Sequence, residues 1–349
     1  MVIRPAQSTD LEDILELAAS AGTGLTTLPN NPETISNRID NSQEALSQEI
    51  KQPGSECYFF VLEDSEESKV IGTCALVAAV GMDDAFFSYK LSTQVSASPD
   101  LGVYNPHQVL ILGNDYTGAT EIATLFLAEG HRGGTNGHLL SKSRFLFLAD
   151  HPERFSEKVI AEMRGYSDDN GYSPFWEALG KRFFKMDFSK ADAVRGLGSN
   201  TFISELMPKH PIYVDMLPEE ARAVIGRVHA DTAPALSLLK KEGFTHQNYV
   251  DVFDGGPTVE VQRNAIRTIA NSHIVELVAG EVSGNTLPIM ISNRKLKDYR
   301  CVIAQSRLEG DQLTIPQSSI DSLGLQAGDT VRAVPLFNKF RPSGSKKTQ

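Results

Sequence analysis

A short apolar run in this sequence leads into a glycine-rich loop and then into an apolar helix, an order that restricts the folds open to the chain. Residues 123–127, Ala-Thr-Leu-Phe-Leu, are typical of a buried strand. The loop Arg132-Gly133-Gly134-Thr135-Asn136-Gly137 follows, and a helix is predicted from His138 to about Ala149. Small residues leave backbone N–H groups accessible, and a helix start adds unpaired donors and a positive dipole end. The pattern predicts either an anion-binding loop suited to a pyrophosphate or a tight strand-to-helix turn without a ligand.

Two familiar phosphate-binding loops do not fit this segment. A Walker A loop requires a lysine after its last glycine, and His138 follows Gly137 here. The spacing G-x-G-x-x-G of dinucleotide-binding folds is also absent, since only Gly133, Gly134 and Gly137 are nearby. Nucleotide hydrolysis and nicotinamide chemistry are therefore not indicated.

The rest of the chain mixes helix and strand patterns. A hairpin is predicted at 57–62 and 70–80, helices and loops at about 150–225, and a helix at about 231–242 that ends at Gly243. After residue 270 short β-type runs recur. Their spacing predicts a small β-barrel appended to the main domain.

Composition narrows the class of protein and of partner. The 349 residues carry a net charge of −11, with 41% hydrophobic and 22% charged residues, as in ordinary globular proteins. An acidic chain argues against nucleic acid as a partner, because phosphate binding requires a basic surface. The charge is compatible with attraction of a cationic small substrate, and equally with solubility alone.

Compartment and cysteine chemistry follow from simple patterns. No apolar run reaches the roughly 20 residues of a membrane span, and Met1-Val2-Ile3-Arg4-Pro5 does not begin as export signals do. We therefore expect a cytoplasmic protein with no membrane partner.

Cys57, Cys74 and Cys301 are too widely spaced to indicate a disulfide framework or a metal site. Cys57 and Cys74 lie in apolar runs and are expected to be core residues and not nucleophiles.

Two segments resemble the GNAT acyltransferases. The segment Arg132 to Gly137 is similar to their coenzyme A loop, Q/R-x-x-G-x-G/A, with Thr135 where a glycine is usual. The segment Thr232 to Phe244 resembles their late helix, and the two occur in the expected order. The resemblance implies an α+β fold with a mixed central sheet and flanking helices. It also implies residues 1–260 as the acyltransferase domain, with an insertion at about 150–225. The strand spacing predicts a small β-barrel-like domain at 270–340, and the residues of the C-terminus predict a disordered tail at 341–349.

Longer strings resemble the arginine N-succinyltransferase family across nearly the whole chain. They include Gly24-Leu25-Thr26-Thr27-Leu28-Pro29, Glu162-Met163-Arg164-Gly165, Gly171-Tyr172-Ser173-Pro174-Phe175-Trp176, Glu205 to Tyr213, Val228-His229 and Phe253-Asp254-Gly255-Gly256-Pro257-Thr258. The resemblance implies transfer of the succinyl group of succinyl-CoA to the α-amino group of L-arginine, in an oligomer of one or two kinds of subunit. Succinyl-CoA is then a co-substrate, with no tightly bound cofactor or metal. The alternatives are a different amine such as ornithine, a different acyl donor, or a non-catalytic CoA-binding subunit.

The resemblance also suggests site residues. The edge Leu125-Phe126-Leu127 is expected to pair with pantetheine amides, and Arg132 to Gly137 to hold the pyrophosphate. His229 is the implied proton donor, although a lone histidine is more often structural. Glu162, Arg164 and the hydroxyl-bearing Thr26-Thr27 are chemically suited to binding the amine substrate, or could instead be structural.

Overall fold

The structure is a computed structural model that describes residues 1–21, 25–168, 170–196, 201–284 and 286–337. The predicted disordered tail, 341–349, lies outside the described residues, as does Gly24. In the described part the fold is α+β, with one mixed sheet, helices on both of its faces and a small β-barrel. The predicted fold class is confirmed.

The elements alternate irregularly along the chain. The strands are β1 (Val2–Pro5), β2 (Cys57–Asp64), β3 (Lys69–Val77), β4 (Ser88–Ser98), β5 (Val103–Gly113), β6 (Thr120–Leu127), β7 (Lys158–Glu162), β8 (Ile212–Tyr213), β9 (Thr245–Asp251), β10 (Pro257–Gln262), β11 (His273–Ala279), β12 (Leu287–Ser292), β13 (Cys301–Glu309), β14 (Gln312–Ile315) and β15 (Thr330–Pro335). The helices are α1 (Leu11–Ala21), α2 (Pro32–Ser47), α3 (Asn136–Asp150), α4 (Pro174–Ala178), α5 (Gly180–Phe184), α6 (Phe188–Gly196), α7 (Thr201–Leu206), α8 (Glu219–Arg222), α9 (Ala233–Glu242), α10 (Arg267–Ala270) and α11 (Gln317–Leu323). Short 3-10 turns occur at Ser8–Asp10, Pro99–Leu101, Glu129–His131, Pro152–Arg154, Val214–Met216, Ala230–Thr232 and Arg263–Ala265.

Among the described residues, the strands form one continuous hydrogen-bonded system. Its order is β12-β15-β11-β14-β13-β1-β2-β3-β6-β7-β10-β9-β4-β5-β8. Strands β1, β2, β3 and β6 are successively antiparallel, whereas β6 and β7 are parallel. Strand β12 also pairs with β13, so β11–β15 close into a barrel. The barrel joins the main sheet where Ile3 of β1 faces Cys301 of β13.

The central strands are buried on both faces, which is why they read as continuous apolar runs. Alternate side chains point to opposite sides of the sheet. Phe60 and Cys74 pack in the core on the α3 side, and Phe59 and Ala75 pack in the core on the α1 and α2 side. Helix α3 has buried residues on every side from Leu139 to Leu148, because it also packs against β12, β13 and α10.

One strand of the central sheet is short and lies within the range that the sequence indicates as helices and loops. Strand β7 has only five residues and pairs antiparallel with β10, about a hundred positions further along the chain. Five residues without a neighbouring turn signal carry little periodicity. Strands β4 and β5 form a long antiparallel hairpin that pairs from Ser88 with Gly113 to Ser98 with Val103. No described helix has the length and apolar character needed to cross a lipid bilayer.

Candidate active site

The site begins at a gap between two parallel strands. Strands β6 and β7 pair only at Thr120 with Val159 and at Glu121 with Ile160. On its other edge β6 continues to pair with β3 as far as Leu127. From Ile122 onward the edge of β6 that faces β7 has no strand partner among the described residues, although the carbonyls of Ala123 and Leu127 accept from arginine side chains. An unpaired strand edge is a place where an extended ligand can add hydrogen bonds.

A bulge in β6 lies at this gap. Thr124 has a φ of +55°, and the register with β3 shifts opposite it, between Thr73 and Ala75. The Oγ1 of Thr73 donates to the carbonyl of Thr124 at 3.0 Å, and the Oγ1 of Thr124 donates to the carbonyl of Thr27 at 3.2 Å. A threonine at positive φ is strained, and such residues concentrate at functional sites. The bulge also binds the segment that contains Thr26 and Thr27 to the strand.

A cavity of about 920 Å³ lies at the gap and is lined by residues of α1 on one face of the sheet and of α3 on the other. Most of the residues predicted for the site line it together. They are Thr26, Thr27, Leu125, Phe126, Leu127, Arg132, Gly133, Gly137, Glu162 and Arg164. Gly134, Thr135 and Asn136 continue the same loop but are not part of the lining. A cavity of this size, with polar groups converging on it, fits a small-molecule site.

The glycine-rich loop has the conformation that its glycines permit. Gly133 and Gly134 have φ values of +109° and +56°. Thr135, which departs from the family pattern, has a φ of −105°, so its side chain introduces no strain. It is the N-cap residue of α3, and the first helical hydrogen bond runs from the N–H of Leu139 to its carbonyl at 2.9 Å. The preceding N–H groups of the first turn therefore have no helical acceptor.

Arg132 is held at the start of this loop. Its Nε donates to the carbonyl of Leu127 at 3.1 Å, and its guanidinium lies 5.9 Å from the ring centroid of Phe126. The contacts place a cation beside the free edge of β6 and next to the start of α3. Both features favour an anion at this end of the cavity.

His229 lies beside the end of β7. Its backbone N–H donates to the carbonyl of Arg164 at 2.8 Å. His229 itself is not among the residues that line the cavity, whereas the turn that follows it, Ala230–Thr232, contributes to the wall. The N–H of Asp231 donates to Nδ1 of His229 at 3.2 Å, and a carboxylate oxygen of Asp231 is 3.7 Å from the same nitrogen. The first contact suits the neutral ring and the second suits the imidazolium.

The other end of the cavity is acidic, which the sequence did not indicate. Its carboxylates come from β7, α6, the turn after His229 and the loop between β9 and β10. They are Glu162, Asp192, Asp231, Asp251 and Asp254. Burial lowers the pKa of the Arg164 guanidinium among them, and the negative charges of Asp231, Asp254 and Asp192 oppose that shift. A cluster of this charge suits a cationic ligand that also carries a carboxylate.

Asp254 is fixed by the close approach of two backbone segments. Its carboxylate accepts from the N–H of Gly165 at 2.6 Å and from that of Gly256 at 2.8 Å. A Cβ on Gly256 would lie 2.1 Å from the carbonyl of Met163, so only glycine fits there. The string Asp254-Gly255-Gly256 was therefore the available signal, since an acidic residue before two glycines is compatible with a carboxylate held by backbone N–H groups.

None of the three cysteines lines the cavity. Cys74 and Cys301 are buried, and Cys57 is half-buried. Burial raises the pKa of the Cys74 thiol to about 11 and raises the pKa of the other two as well. A protonated thiol is a poor nucleophile. Within the described ranges, no group of three or more His, Cys, Asp or Glu side chains is arranged to hold a metal ion.

Comparison with known proteins gives a consistent family. Residues 1–268 match the family described as arginine N-succinyltransferase beta subunit, and residues 273–335 match its C-terminal domain. The arginine N-succinyltransferase of Salmonella schwarzengrund (strain CVM19633) is 46% identical over 336 residues, which cover 96% of this chain and 97% of that protein. The protein of the same name from Escherichia coli O139:H28 (strain E24377A / ETEC) is 46% identical over 337 residues, 96% of this chain and 98% of that protein.

A solved structure extends the likeness to three dimensions. The arginine/ornithine succinyltransferase subunit AI from Pseudomonas aeruginosa superposes with a TM-score of 0.90 at 36% identity, covering 97% of this chain and 99% of that chain. The match spans the main sheet, the glycine-rich loop and the barrel alike. With this likeness in sequence and in fold, the chain is an acyltransferase and belongs to the arginine N-succinyltransferase family.

Proposed function

We propose that this chain transfers the succinyl group of succinyl-CoA to the α-amino group of L-arginine, giving N2-succinyl-L-arginine and CoA. The observation that carries the proposal is the cavity between β6 and β7, which has the glycine-rich loop at one end and a carboxylate cluster at the other. A thioester carrier with a diphosphate suits the first end, and a cationic amino acid suits the second. The relatives are called arginine N-succinyltransferases, and this name gives the acceptor and the transferred group but not the carrier.

The acyl donor is expected along the free edge of β6. The pantetheine arm contains amides that can pair with the backbone of Leu125 to Leu127, as an added strand does. Its diphosphate then falls at Arg132 to Gly137, where the start of α3 and the guanidinium of Arg132 supply donors and positive charge. This arrangement puts the thioester near the bulge at Thr124.

The amino acid acceptor is expected at the acidic end. A guanidinium binds carboxylates with parallel hydrogen bonds, and Glu162 is one candidate partner in the cavity wall. Arg164 is the candidate for the substrate carboxylate, and the hydroxyl groups of Thr26 and Thr27 lie in the wall on the α1 side. The ammonium of ornithine would meet the same carboxylates, so ornithine is the second candidate acceptor.

His229 is the candidate for proton transfer to sulfur. The substrate ammonium first loses one proton, and the freed amine nitrogen attacks the thioester carbonyl carbon. As the C–N bond forms, the C–S bond breaks, and the departing sulfur takes a proton from Nε2 of the His229 imidazolium, which becomes neutral imidazole. The second proton of the attacking nitrogen restores the histidine. One proton is released to solution over the whole reaction.

An assay of CoA-thiol release tests the proposal. Purified protein is incubated with succinyl-CoA and a panel of amino acids that includes arginine, ornithine and lysine. Thiol release dependent on arginine is expected, with N2-succinylarginine as the product by mass spectrometry. Turnover with acetyl-CoA and none with succinyl-CoA would overturn the choice of donor. Binding of CoA without turnover of any amine would favour a CoA-binding subunit.

A further inference from the structure

Arg144 is a buried arginine that nothing in the proposed reaction yet uses. It lies in the middle of α3, is 2% exposed and contributes to the cavity wall. Its Nε donates to the carbonyl of Ser141 at 3.2 Å, and its Nη1 donates to the carbonyl of Ala123 at 3.1 Å. A guanidinium has five N–H donors, so these two bonds leave three for a ligand.

The positive charge of Arg144 is not balanced by a protein carboxylate in the part of the chain that the structure describes. Burial lowers the pKa of its guanidinium, and the one ionisable side chain that opposes this shift is the thiol of Cys74. Arg164, by contrast, has Asp231, Asp254 and Asp192 acting on it. An arginine stays charged in proteins, and burying a charge without a counter-ion is unfavourable because the charge loses its hydration. An anionic ligand at Arg144 would remove that cost.

Measured along β6, Arg144 lies at the same height as the expected position of the thioester. The chain reverses direction between β6 and α3, so advancing along the helix leads back along the strand. From Gly137 to Arg144 the helix rises about 10 Å, and from Leu127 back to Thr124 the strand covers about 10 Å. The hydrogen bond from Arg144 to Ala123, the residue before the bulge, shows the same alignment directly.

We propose that Arg144 binds the free carboxylate of a dicarboxylic acyl group and thereby makes the chain select succinyl-CoA over uncharged acyl-CoA donors. This specificity rests on the proposed function, because it assumes that the thioester lies at the bulge of β6. A planar guanidinium accepts a carboxylate in a two-pronged arrangement that a neutral acyl chain cannot make. A neutral acyl group in the same place would leave the cation buried and unpaired.

Succinyl-CoA and butyryl-CoA form a matched pair for the test, because their four-carbon acyl groups differ in one terminal carboxylate. Binding of succinyl-CoA, butyryl-CoA and free CoA to the full-length protein is measured by calorimetry for the parent, Arg144→Met and Arg144→Lys. In Arg144→Met the affinity for succinyl-CoA is expected to fall about 10- to 100-fold, the range for a hydrogen bond to a charged group. Affinities for butyryl-CoA and CoA are expected to change little, and Arg144→Lys to keep part of the preference.

Arg154→Met is the matched control. Arg154 is also a buried arginine that donates to backbone carbonyls, those of Ala45 and Gln48, but it lies outside the cavity. Its loss is expected to lower stability and to leave the ratio of the two acyl-CoA affinities unchanged. The control separates a general effect of removing a buried arginine from an effect on the acyl group.

The outcomes separate the specificity from the reaction itself. Equal losses for succinyl-CoA and butyryl-CoA in Arg144→Met would show a purely structural role and overturn the inference. Should Arg144→Met fail to fold, an unchanged affinity ratio in Arg144→Lys would overturn it as well. A selective loss of succinyl-CoA binding in a protein that turns over no amine would support Arg144 while contradicting the proposed transferase reaction.

Discussion

At the scale of a single residue, His229 caps a backbone turn and is also the candidate proton donor of the proposed reaction. It is the N-cap of the turn Ala230–Thr232, and its Nδ1 accepts from the N–H of Asp231. Asparagine is a good N-cap and can keep that bond, but it cannot donate a proton to sulfur. We expect His229→Asn to lower kcat by about 100-fold or more, with CoA binding and thermal stability nearly unchanged. Steady-state kinetics and calorimetry measure the two effects.

His229→Ala provides the comparison for this variant. It removes the cap as well as the proton donor, so its stability is expected to fall by about 1 kcal/mol relative to His229→Asn. The two variants should have similar kcat values. Undiminished turnover in His229→Asn would contradict a role of this histidine in proton transfer.

His151, at the end of α3, predicts a dependence of stability on pH. Burial lowers its pKa in the folded state, although Asp150 and Glu153 oppose the shift. The unfolded chain therefore takes up the proton first as the pH falls through about 6.5. The stabilising contribution is complete above that pH and is lost below it, down to the folded pKa. Glutamine does not titrate, so His151→Gln should lose less stability than the parent when the pH is lowered from about 7.5 to about 5.5. The difference in free energy of unfolding, variant minus parent, is therefore expected to be larger at the lower pH.

Urea unfolding at the two pH values measures this difference. The exposed His210, changed to Gln, is the control and should show no comparable gain at the lower pH. If His151→Gln and the parent lose stability in parallel, the buried histidine does not contribute to the pH dependence.

At the scale of the element, the glycine-rich loop combines backbone geometry with ligand binding. Gly133 has a φ of +109° and open space where a Cβ would be, so its conformation and not its packing requires glycine. Gly133→Ala is expected to cost about 1–2 kcal/mol of stability. Relief of the strain would rotate the neighbouring N–H groups, so we also expect CoA affinity to fall about tenfold or more.

Gly328, in the loop before β15, is the matched control for Gly133. Its φ is +92°, and the space around it is equally open. Gly328→Ala should lose a similar amount of stability while CoA affinity stays unchanged. Equal CoA affinities in the two variants would mean that the loop at Gly133 does not hold the diphosphate.

The elements also differ in how far the sequence predicts them. Strand β6, the loop and α3 are consecutive, and each has its own local pattern, so the unit could be recognised directly. Strand β7 could not, because its five residues are identified by pairing with β10 and, over two positions, with β6. The gap that forms the cavity depends on β7. The sequence therefore predicts the loop at one end of the site but not the gap itself.

At the scale of the whole molecule, Asp150 joins the main domain to the barrel. Its side chain is 2% exposed and accepts from the Nε of Arg294 at 3.1 Å and of Arg332 at 2.8 Å. The side chains of Arg332 and Arg294 are 15% and 34% exposed, so loss of the Asp150 carboxylate leaves chiefly Arg332 buried without a counter-charge. We expect Asp150→Ala to lower the free energy of unfolding by about 3 kcal/mol, the lower end of the range for a broken buried pair, measured by urea denaturation.

The exposed pair of Glu16 and Lys69, 3.0 Å apart, gives the control for Asp150. Glu16→Ala should cost no more than about 1 kcal/mol, because water already solvates both charges. A cost for Asp150→Ala no larger than this would show that the barrel does not depend on the buried pairs.

Elements with their own local pattern could be predicted from the sequence, among them the strand, loop and helix at 123–149 and the short β-type runs of the barrel. The long strings that match the family identify it without knowledge of any contact. The acidic end of the cavity and the place of Arg144 follow from the packing of the elements. The hydrogen bond of Asp254 to Gly165 joins residues 89 positions apart, and that of Arg144 to Ala123 crosses from a helix to a strand. Such contacts depend on how the elements pack, and no local pattern of residues encodes them.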